Sequence, residues 1–355
     1  MKKRLSAAKS SKYTFMIMDL RSDTVTKPTT EMLQAMMAAT VGDDVYGEDT
    51  TVTKLEQQLA NDFGMEAGLF CPTGTMTNQI AIRVQARPAT EVICADNAHV
   101  FKYEGGGIAA NTGAQARLVT STYGKIRASQ IAEVVNAEDV HFPRTALVCL
   151  ENTSNRGGGS IYTLAEMNEI ANLCKQHKLP LHLDGARIYN ALAEGDYTSK
   201  NLGSIFNSIS VCLSKGLGAP VGSVLLGSKD IVHEAKRVRK LMGGGMRQAG
   251  YLAAAGIYAI KHHVAGLKQD HQHARQVADV LSNNNLVVSM MPVVTNIIIF
   301  KLKDANTADR LQQQLKQQHI LANKVSATEL RFVFHLDVTP PMVNKLSTFL
   351  ASFIG

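Results

Sequence analysis

The sequence has no run of about eighteen consecutive apolar residues, so no helix is expected to span a membrane. It has no C-x-x-C pair, and its cysteine count of five is odd. Cys94, Cys149 and Cys212 lie inside apolar strand-like runs. Like Cys71 and Cys174, they read as small buried hydrophobes in a reducing cytoplasm. The G-x-x-x-x-G-K-[ST] order is absent, which excludes a P-loop. There is no internal repeat, and no low-complexity tract beyond the N-terminus. Acidic residues are missing from the first 18 positions.

What is present is an ordinary globular composition, 45% hydrophobic and 19% charged over 355 residues. That length suits one large enzyme subunit or two packed domains. The formal net charge is +7. Five of those charges, Lys2, Lys3, Arg4, Lys9 and Lys12, precede the first acid, Asp19, leaving +2 for the remainder. The segment 1–18 therefore reads as a basic, disordered extension. Lys9 and Lys12 interrupt any signal-peptide core, although a transit peptide has a similar composition. Such an arm could touch RNA or acidic lipid non-specifically. The near-neutral body argues against a nucleic-acid-binding protein.

Short apolar runs alternate with helical stretches. Residues 91–95, 145–150, 179–183, 208–213 and 221–226 read as strands. Most lack polar alternation, as expected where both sheet faces are covered. Residues 52–63 and 164–177 read as amphipathic helices; in the latter Leu164, Met167, Ile170, Ala171 and Cys174 recur at helical spacing. This rhythm indicates an α/β fold with a largely parallel sheet and helices on both sides. Beyond about Lys261 the texture changes. A helix over 261–283, strands over 293–300 and 329–335, and a helix over 307–318 predict a smaller α+β unit at 262–355. The larger domain is then 19–261. His262, His263, His271 and His273 resemble metal spacing, but on a polar helix they read as a solvated face.

Three segments carry chemistry. In Ser210–Gly218 a lysine, Lys215, follows an apolar strand and precedes glycines. Burial disfavours an ammonium and frees the amine as a nucleophile. The glycines let a bulky ligand approach the backbone. The plain alternative is a surface lysine. In Leu181–Asn190, Asp184 falls at the carboxyl end of a central strand, where doubly wound sheets bind ligands. An aspartate there can hold a cationic ring nitrogen, and Arg187 a carboxylate. The alternative is a helix N-cap. In Pro72–Asn78, glycine and hydroxyl residues open a helix, which suits a phosphate or a simple threonine cap. Together these meet the requirements of pyridoxal phosphate.

At this point the chain resembles the low-specificity L-threonine aldolases, within the fold type I, aspartate-aminotransferase-like pyridoxal-phosphate enzymes. Six ordered blocks carry the resemblance: D-L-R-S-D-T-V-T-K-P from Asp19, V-G-D-D-V-Y-G-E-D from Val41, P-T-G-T from Pro72, H-L-D-G-A-R-I-Y-N from His182, C-L-S-K-G-L-G-A-P-V-G from Cys212 and G-G-G-M-R-Q from Gly243. The resemblance implies that Lys215 carries the cofactor's aldehyde and Asp184 pairs with its ring nitrogen. Gly74 and Thr75 bind its phosphate, as does Arg247, from a neighbouring subunit. It implies that His99 stacks on the ring, that Ser22, Arg187 and Arg331 hold the substrate carboxylate, and that His141 lies near the substrate hydroxyl. Tyr46 reaches across an interface of a homotetramer of paired dimers. One departure stands out: the family often has E-N-T-H-N where this chain has E-N-T-S-N, with Ser154. The implied reaction is retro-aldol cleavage of β-hydroxy-α-amino acids, with His99, His141 or a water they hold as base. Racemisation, transamination and β-elimination on the same scaffold are the alternatives.

Overall fold

The computed structural model describes residues 17–354. The expectation for the basic extension falls on residues 1–16, outside the described residues, except at its last two positions. The second of these, Met18, opens the first strand, β1 (Met18–Asp19).

The larger sheet has seven strands: β2 (Ala67–Cys71), β3 (Thr90–Ala95), β4 (Gln115–Val119), β5 (Arg144–Glu151), β6 (Leu181–Gly185), β7 (Ser208–Cys212) and β8 (Ser223–Gly227). Their order is β2-β8-β7-β6-β5-β3-β4. From β7 to β4 every pairing is parallel, and β8 is antiparallel to both neighbours. Every residue of β3, β6, β7 and β8 is buried, so the unalternating apolar runs reflect cover on both faces. The helix Leu164–Gln176 shows how local sequence builds that cover. Thr163 and Glu166 form a capping box at its start, while Met167, Ile170 and Cys174 turn into the core. Each such side chain contributes about 1.5–3 kcal/mol on burial.

A second, antiparallel sheet contains β9 (Val287–Met290), β10 (Ile297–Leu302), β12 (Asn323–Lys324) and β13 (Glu329–Val333), in the order β12-β13-β10-β9. Between them, β11 (Ile320–Leu321) pairs in parallel with β1. The strand expected from Val293 begins only at Ile297, because Thr295 and Asn296 turn their side chains to backbone carbonyls of Gly159 and Phe334. A separate apolar core forms here, and it includes Met18 and Leu20 with Phe300, Phe332 and Phe334. The start of the chain thus packs with its C-terminal unit. Strands β2, β4 and β9 carry no run that the sequence reading recognised.

The four histidines also differ from expectation. Only His262 is exposed; His263, His271 and His273 are buried. The helix Leu267–Ser282 is amphipathic and turns Leu267, Ala274, Val277 and Leu281 inward, which carries His271 and His273 with them. His271 meets Glu194 at 2.6 Å and the Asn190 amide at 3.0 Å. These contacts form a structural lock between helices, not a solvated face.

Leu20 is fully buried, and its backbone bridges Leu321 and Val333. Leu20→Ala should therefore cost about 2–5 kcal/mol, read as a lower urea midpoint. An unchanged midpoint would show that the β1 segment is peripheral to the second core.

Candidate active site

Strands β5, β6 and β7 end side by side. Glu151 pairs in register with Asp184, and Asp184 with Ser210. Lys215 follows three residues beyond the end of β7, in a turn where the Gly218 N–H donates to the Lys215 carbonyl at 2.8 Å. Parallel pairing of neighbouring strands thus brings Asp184 and Lys215 to one sheet edge. Asp184 is 2% exposed. Its Oδ1 accepts the Ala186 N–H at 3.1 Å, while its Oδ2 is buried without a hydrogen-bond partner among the described residues. An unmet buried carboxylate oxygen is costly. The observation fits a ligand that supplies a charged N–H.

Beside it stands His99, at the start of the short helix His99–Lys102. Polar atoms of His99, Glu104 and Asp184 lie within 4.8 Å of one another. The His99 Nδ1 meets Glu104 Oε1 at 2.9 Å, and its backbone N–H donates to Glu151 at 3.0 Å. Burial alone would lower the His99 pKa. The Glu104 hydrogen bond and the charges of Asp184, Glu104 and Glu151 outweigh burial and raise it. Glu104 also accepts from the Asn78 and Gln79 amides, and Asn78 Oδ1 meets His182 Nε2. This buried chain fixes the helix Gly74–Gln85 against β6. The first N–H groups of that helix, at Gly74 and Thr75, are a seat for an anion. Thr73 caps the helix by accepting from Met76.

The two arginines expected to hold a carboxylate are not equivalent. Arg187 donates from Nε and Nη2, along one edge of its guanidinium, to both oxygens of Asp23 at 2.6 and 2.8 Å, and both side chains are buried. Burial would raise the Asp23 carboxyl, but the charge and hydrogen bonds of Arg187 hold it below its usual range. Arg331 instead donates to Asn155 Oδ1 at 2.8 Å and to the Arg21 carbonyl at 2.9 Å, and its Nε is buried without a partner. Arg187 reaches the same Asn155 oxygen at 3.4 Å. Arg331 is the guanidinium with charge to spare for a substrate carboxylate. Ser22 caps the turn Asp23–Val25 by accepting from Thr24, one residue from the buried Asp23. Burial also raises the pKa of Glu151, reinforced by Asp184. Glu151 accepts the N–H groups of both His99 and Asn155, joining the two halves of the site. Asp23, Glu104, Glu151 and Asn155 were not singled out from the sequence, although three of them lie in blocks quoted above or beside Ser154.

Three expected residues are not brought to this cluster within one chain. His141 precedes β5, at the opposite end of the strand from Glu151. It is strongly exposed and bonded to Asp139 at 2.7 Å. Arg247 is half exposed and pairs with Asp43 at 3.0 Å, and Tyr46, 76% exposed, lies on the neighbouring turn. The loop of Arg247 does reach the helix Gly74–Gln85: a Cβ on Gly244 would fall 2.3 Å from Met76 Sδ, so a side chain there would have to displace the end of Met76. Ser154 is buried and accepts the Gly157 N–H, and a Cβ on Gly124 would lie 1.8 Å from its Oγ. Its hydroxyl therefore braces a loop and occupies the space that a side chain at position 124 would need.

Residues 19–305 match the family described as beta-eliminating lyase. The low specificity L-threonine aldolase of Escherichia coli (strain K12) is 39% identical over 340 residues, spanning 96% of this chain and all of that protein. The chain belongs to the low-specificity L-threonine aldolase family. A second member, low-specificity L-threonine aldolase 1 of Arabidopsis thaliana, is 38% identical over 90% of this chain and 92% of its own length. Among solved structures, the threonine aldolase of Leishmania major superposes with a TM-score of 0.82 at 22% identity, covering 94% of this chain and 100% of that one. The aldolase fold, an α/β large sheet with a smaller α+β unit, is the one expected from the sequence.

Asp23→Asn would leave Arg187 buried without its counter-charge, at a cost of about 3–5 kcal/mol. The wild-type pair stabilises the fold above the unfolded carboxyl pKa of about 3.9. That stabilisation is lost as the pH falls through the lowered folded pKa. The stability gap between variant and wild type, followed by denaturant titration, should therefore narrow below about pH 4. A gap independent of pH would show that the carboxylate charge is not what matters.

Proposed function

We propose that the chain is a pyridoxal-phosphate-dependent lyase. It cleaves L-threonine, L-allo-threonine and other β-hydroxy-α-amino acids to glycine and an aldehyde such as acetaldehyde. The observation that carries this reading is the buried, unpartnered Asp184 Oδ2, on the strand beside the one leading to Lys215. It suits a pyridinium N–H, with the Lys215 amine placed for the cofactor's aldehyde. The phosphate would sit at the N–H groups of Gly74 and Thr75. Pyridoxal phosphate, when bound, supplies an electron sink for the pair released from the Cα–Cβ bond.

The protein's part is to bind, orient and move protons. Asp184 keeps the ring nitrogen protonated. Arg331, positioned by Asn155, would take the substrate carboxylate and so orient the substrate for cleavage of its Cα–Cβ bond. Asp23 cancels the charge of Arg187, so that residue braces the site more than it binds. His99 packs at the ring and, with Nδ1 held by Glu104, has Nε2 to accept the β-hydroxyl proton. The aldehyde departs, and a proton delivered to Cα completes glycine. Tyr46 and Arg247 are exposed, positions suited to a neighbouring copy's site. The reading includes a homotetramer of paired dimers, in the cytoplasm.

Lys215→Ala should lose both the visible absorbance of bound cofactor and acetaldehyde release from L-threonine. Undiminished cleavage by that variant would overturn the assignment. Acetaldehyde with glycine, rather than pyruvate or a 2-oxo acid, separates cleavage from transamination and elimination on the same scaffold.

A base must be neutral to act, so kcat/KM should rise with pH through the His99 pKa, which lies above its ordinary 6.5. Glu104→Gln removes the hydrogen-bonded charge that raises it. The midpoint of the acid limb should then move to lower pH. A midpoint that stays in place would assign the limb to another group.

A further inference from the structure

Arg156 is a cation at the mouth of the site for which threonine cleavage has no use. It is half-buried, and its guanidinium carbon lies 5.0 Å from the centroid of the Tyr103 ring. Among the described residues no carboxylate pairs with it. The Tyr103 ring in turn lies 5.7 Å from the His99 ring, tilted by 40°. Arg156 also follows Asn155, the residue that holds Arg331. It thus stands between the carboxylate-binding arginine and the wall formed by Tyr103 and His99. A substrate with its carboxylate on Arg331 and its β-hydroxyl at His99 would place its Cβ between these two residues, so that the remaining Cβ substituent would have Arg156 as its neighbouring cation.

The residue is carried on a rigid arm. After Arg156 come three glycines. The Gly157 N–H donates to Ser154 Oγ, the Gly159 N–H to the Ser154 carbonyl, and Thr295 Oγ1 to the Gly159 carbonyl. Gly158 and Gly159 take φ of +71° and +76°, and a Cβ on Gly157 would lie 1.8 Å from the Tyr123 carbonyl oxygen. The cation is held close to others of the same sign. Burial pushes the Arg331 guanidinium down to about 10, and the charges of Arg187 and Arg156 act in the same direction. Clustering like charges without a counter-ion is unfavourable. Arg187 has Asp23 and the substrate carboxylate answers Arg331, while Arg156 has only an aromatic face, worth less than a charge-assisted hydrogen bond.

We infer that Arg156 is a specificity-determining residue that favours β-hydroxy-α-amino acids whose Cβ substituent carries an anion, with 3-hydroxyaspartate as the simplest case. The inference rests on the retro-aldol reading above. The chemistry balances without an added oxidant or reductant. The Cα–Cβ bond breaks, the β-hydroxyl gives up its proton and becomes a carbonyl, and Cα gains a proton. The products are glycine and glyoxylate. The second carboxylate, retained on the aldehyde, is the group Arg156 pairs with.

The test measures glycine release by the holoenzyme from L-threonine, L-3-hydroxyaspartate and its neutral isostere L-3-hydroxyasparagine. Wild type, Arg156→Gln and Arg156→Lys are compared. Wild type should favour the acid over the amide by about tenfold or more in kcat/KM, mostly through KM, and added salt should erode the preference. Arg156→Gln should abolish the acid-to-amide ratio, and Arg156→Lys should keep part of it. No preference in wild type overturns the inference, and so does a ratio unchanged in Arg156→Gln. An equal loss on all three substrates also overturns it, because Arg156 would then serve the common α-carboxylate. Should the glutamine variant fail to fold, the wild-type preference and its salt dependence decide alone. Absence of glycine from threonine in wild type would instead defeat the parent reading.

Discussion

The ion pair between Asp23 and Arg187 is the interaction on which the rest of the site depends. It joins residues 164 positions apart, one just after the strand that belongs to the second core, the other just after β6 of the large sheet. Both partners are dry, so neither can be removed without exposing the other's charge to a low-dielectric interior. The pair therefore does two things at once. It ties the N-terminal segment to the mouth of the large sheet, and it turns one of two neighbouring arginines into a neutral strut. Without it, two uncompensated guanidiniums would converge on Asn155, and the mutual repulsion would oppose the arrangement that leaves Arg331 free to bind.

The acids around the ring position follow the same logic of assignment. Glu104 is satisfied by His99, Asn78 and Gln79; Glu151 by the N–H groups of His99 and Asn155; Asp23 by Arg187. Asp184 alone retains a dry oxygen without a partner. Three satisfied carboxylates hold backbone and side chains in place, and the one left open is the acid proposed to meet the cofactor's ring nitrogen. A site built this way has these carboxylates fixed by groups of the protein itself, which is what electrostatic stabilisation of a charged transition state requires.

Much of this was legible in the chain, and the exceptions have physical reasons. Strands β5, β6 and β7 are continuous apolar runs because helices cover both faces. The spacing of Asp184 and Lys215 follows from two adjacent parallel strands. Strand β4 was invisible because it is a sheet edge with most of its residues exposed, leaving no run to see. The histidines of Leu267–Ser282 looked solvated because polarity was judged by residue type. His273 is carried inward by its helix with both ring nitrogens lacking a partner among the described residues, whereas the burial of His271 is matched by Glu194 and Asn190, distant in sequence. Asp23 escaped notice beside Ser22 for the same reason. A hydroxyl at a turn suggests chemistry locally, whereas a carboxylate declares its role only when a buried arginine arrives from another strand.

Ser154 draws these strands of argument together. Its difference from the family's usual histidine suggests altered chemistry when read as a point substitution. In the fold its hydroxyl accepts from Gly157 and fills the space left by Gly124. A small hydroxyl residue there and the glycines that follow belong to one packing solution, since a larger side chain at 154 and any side chain at 157 would contest the same volume beside Tyr123. The consequence lies at the next two positions. Asn155 is fixed to orient Arg331, and Arg156 is fixed against Tyr103. The substitution thus acts on the site through the geometry of the loop, and its influence falls on the charge presented to the substrate rather than on the machinery that breaks the bond.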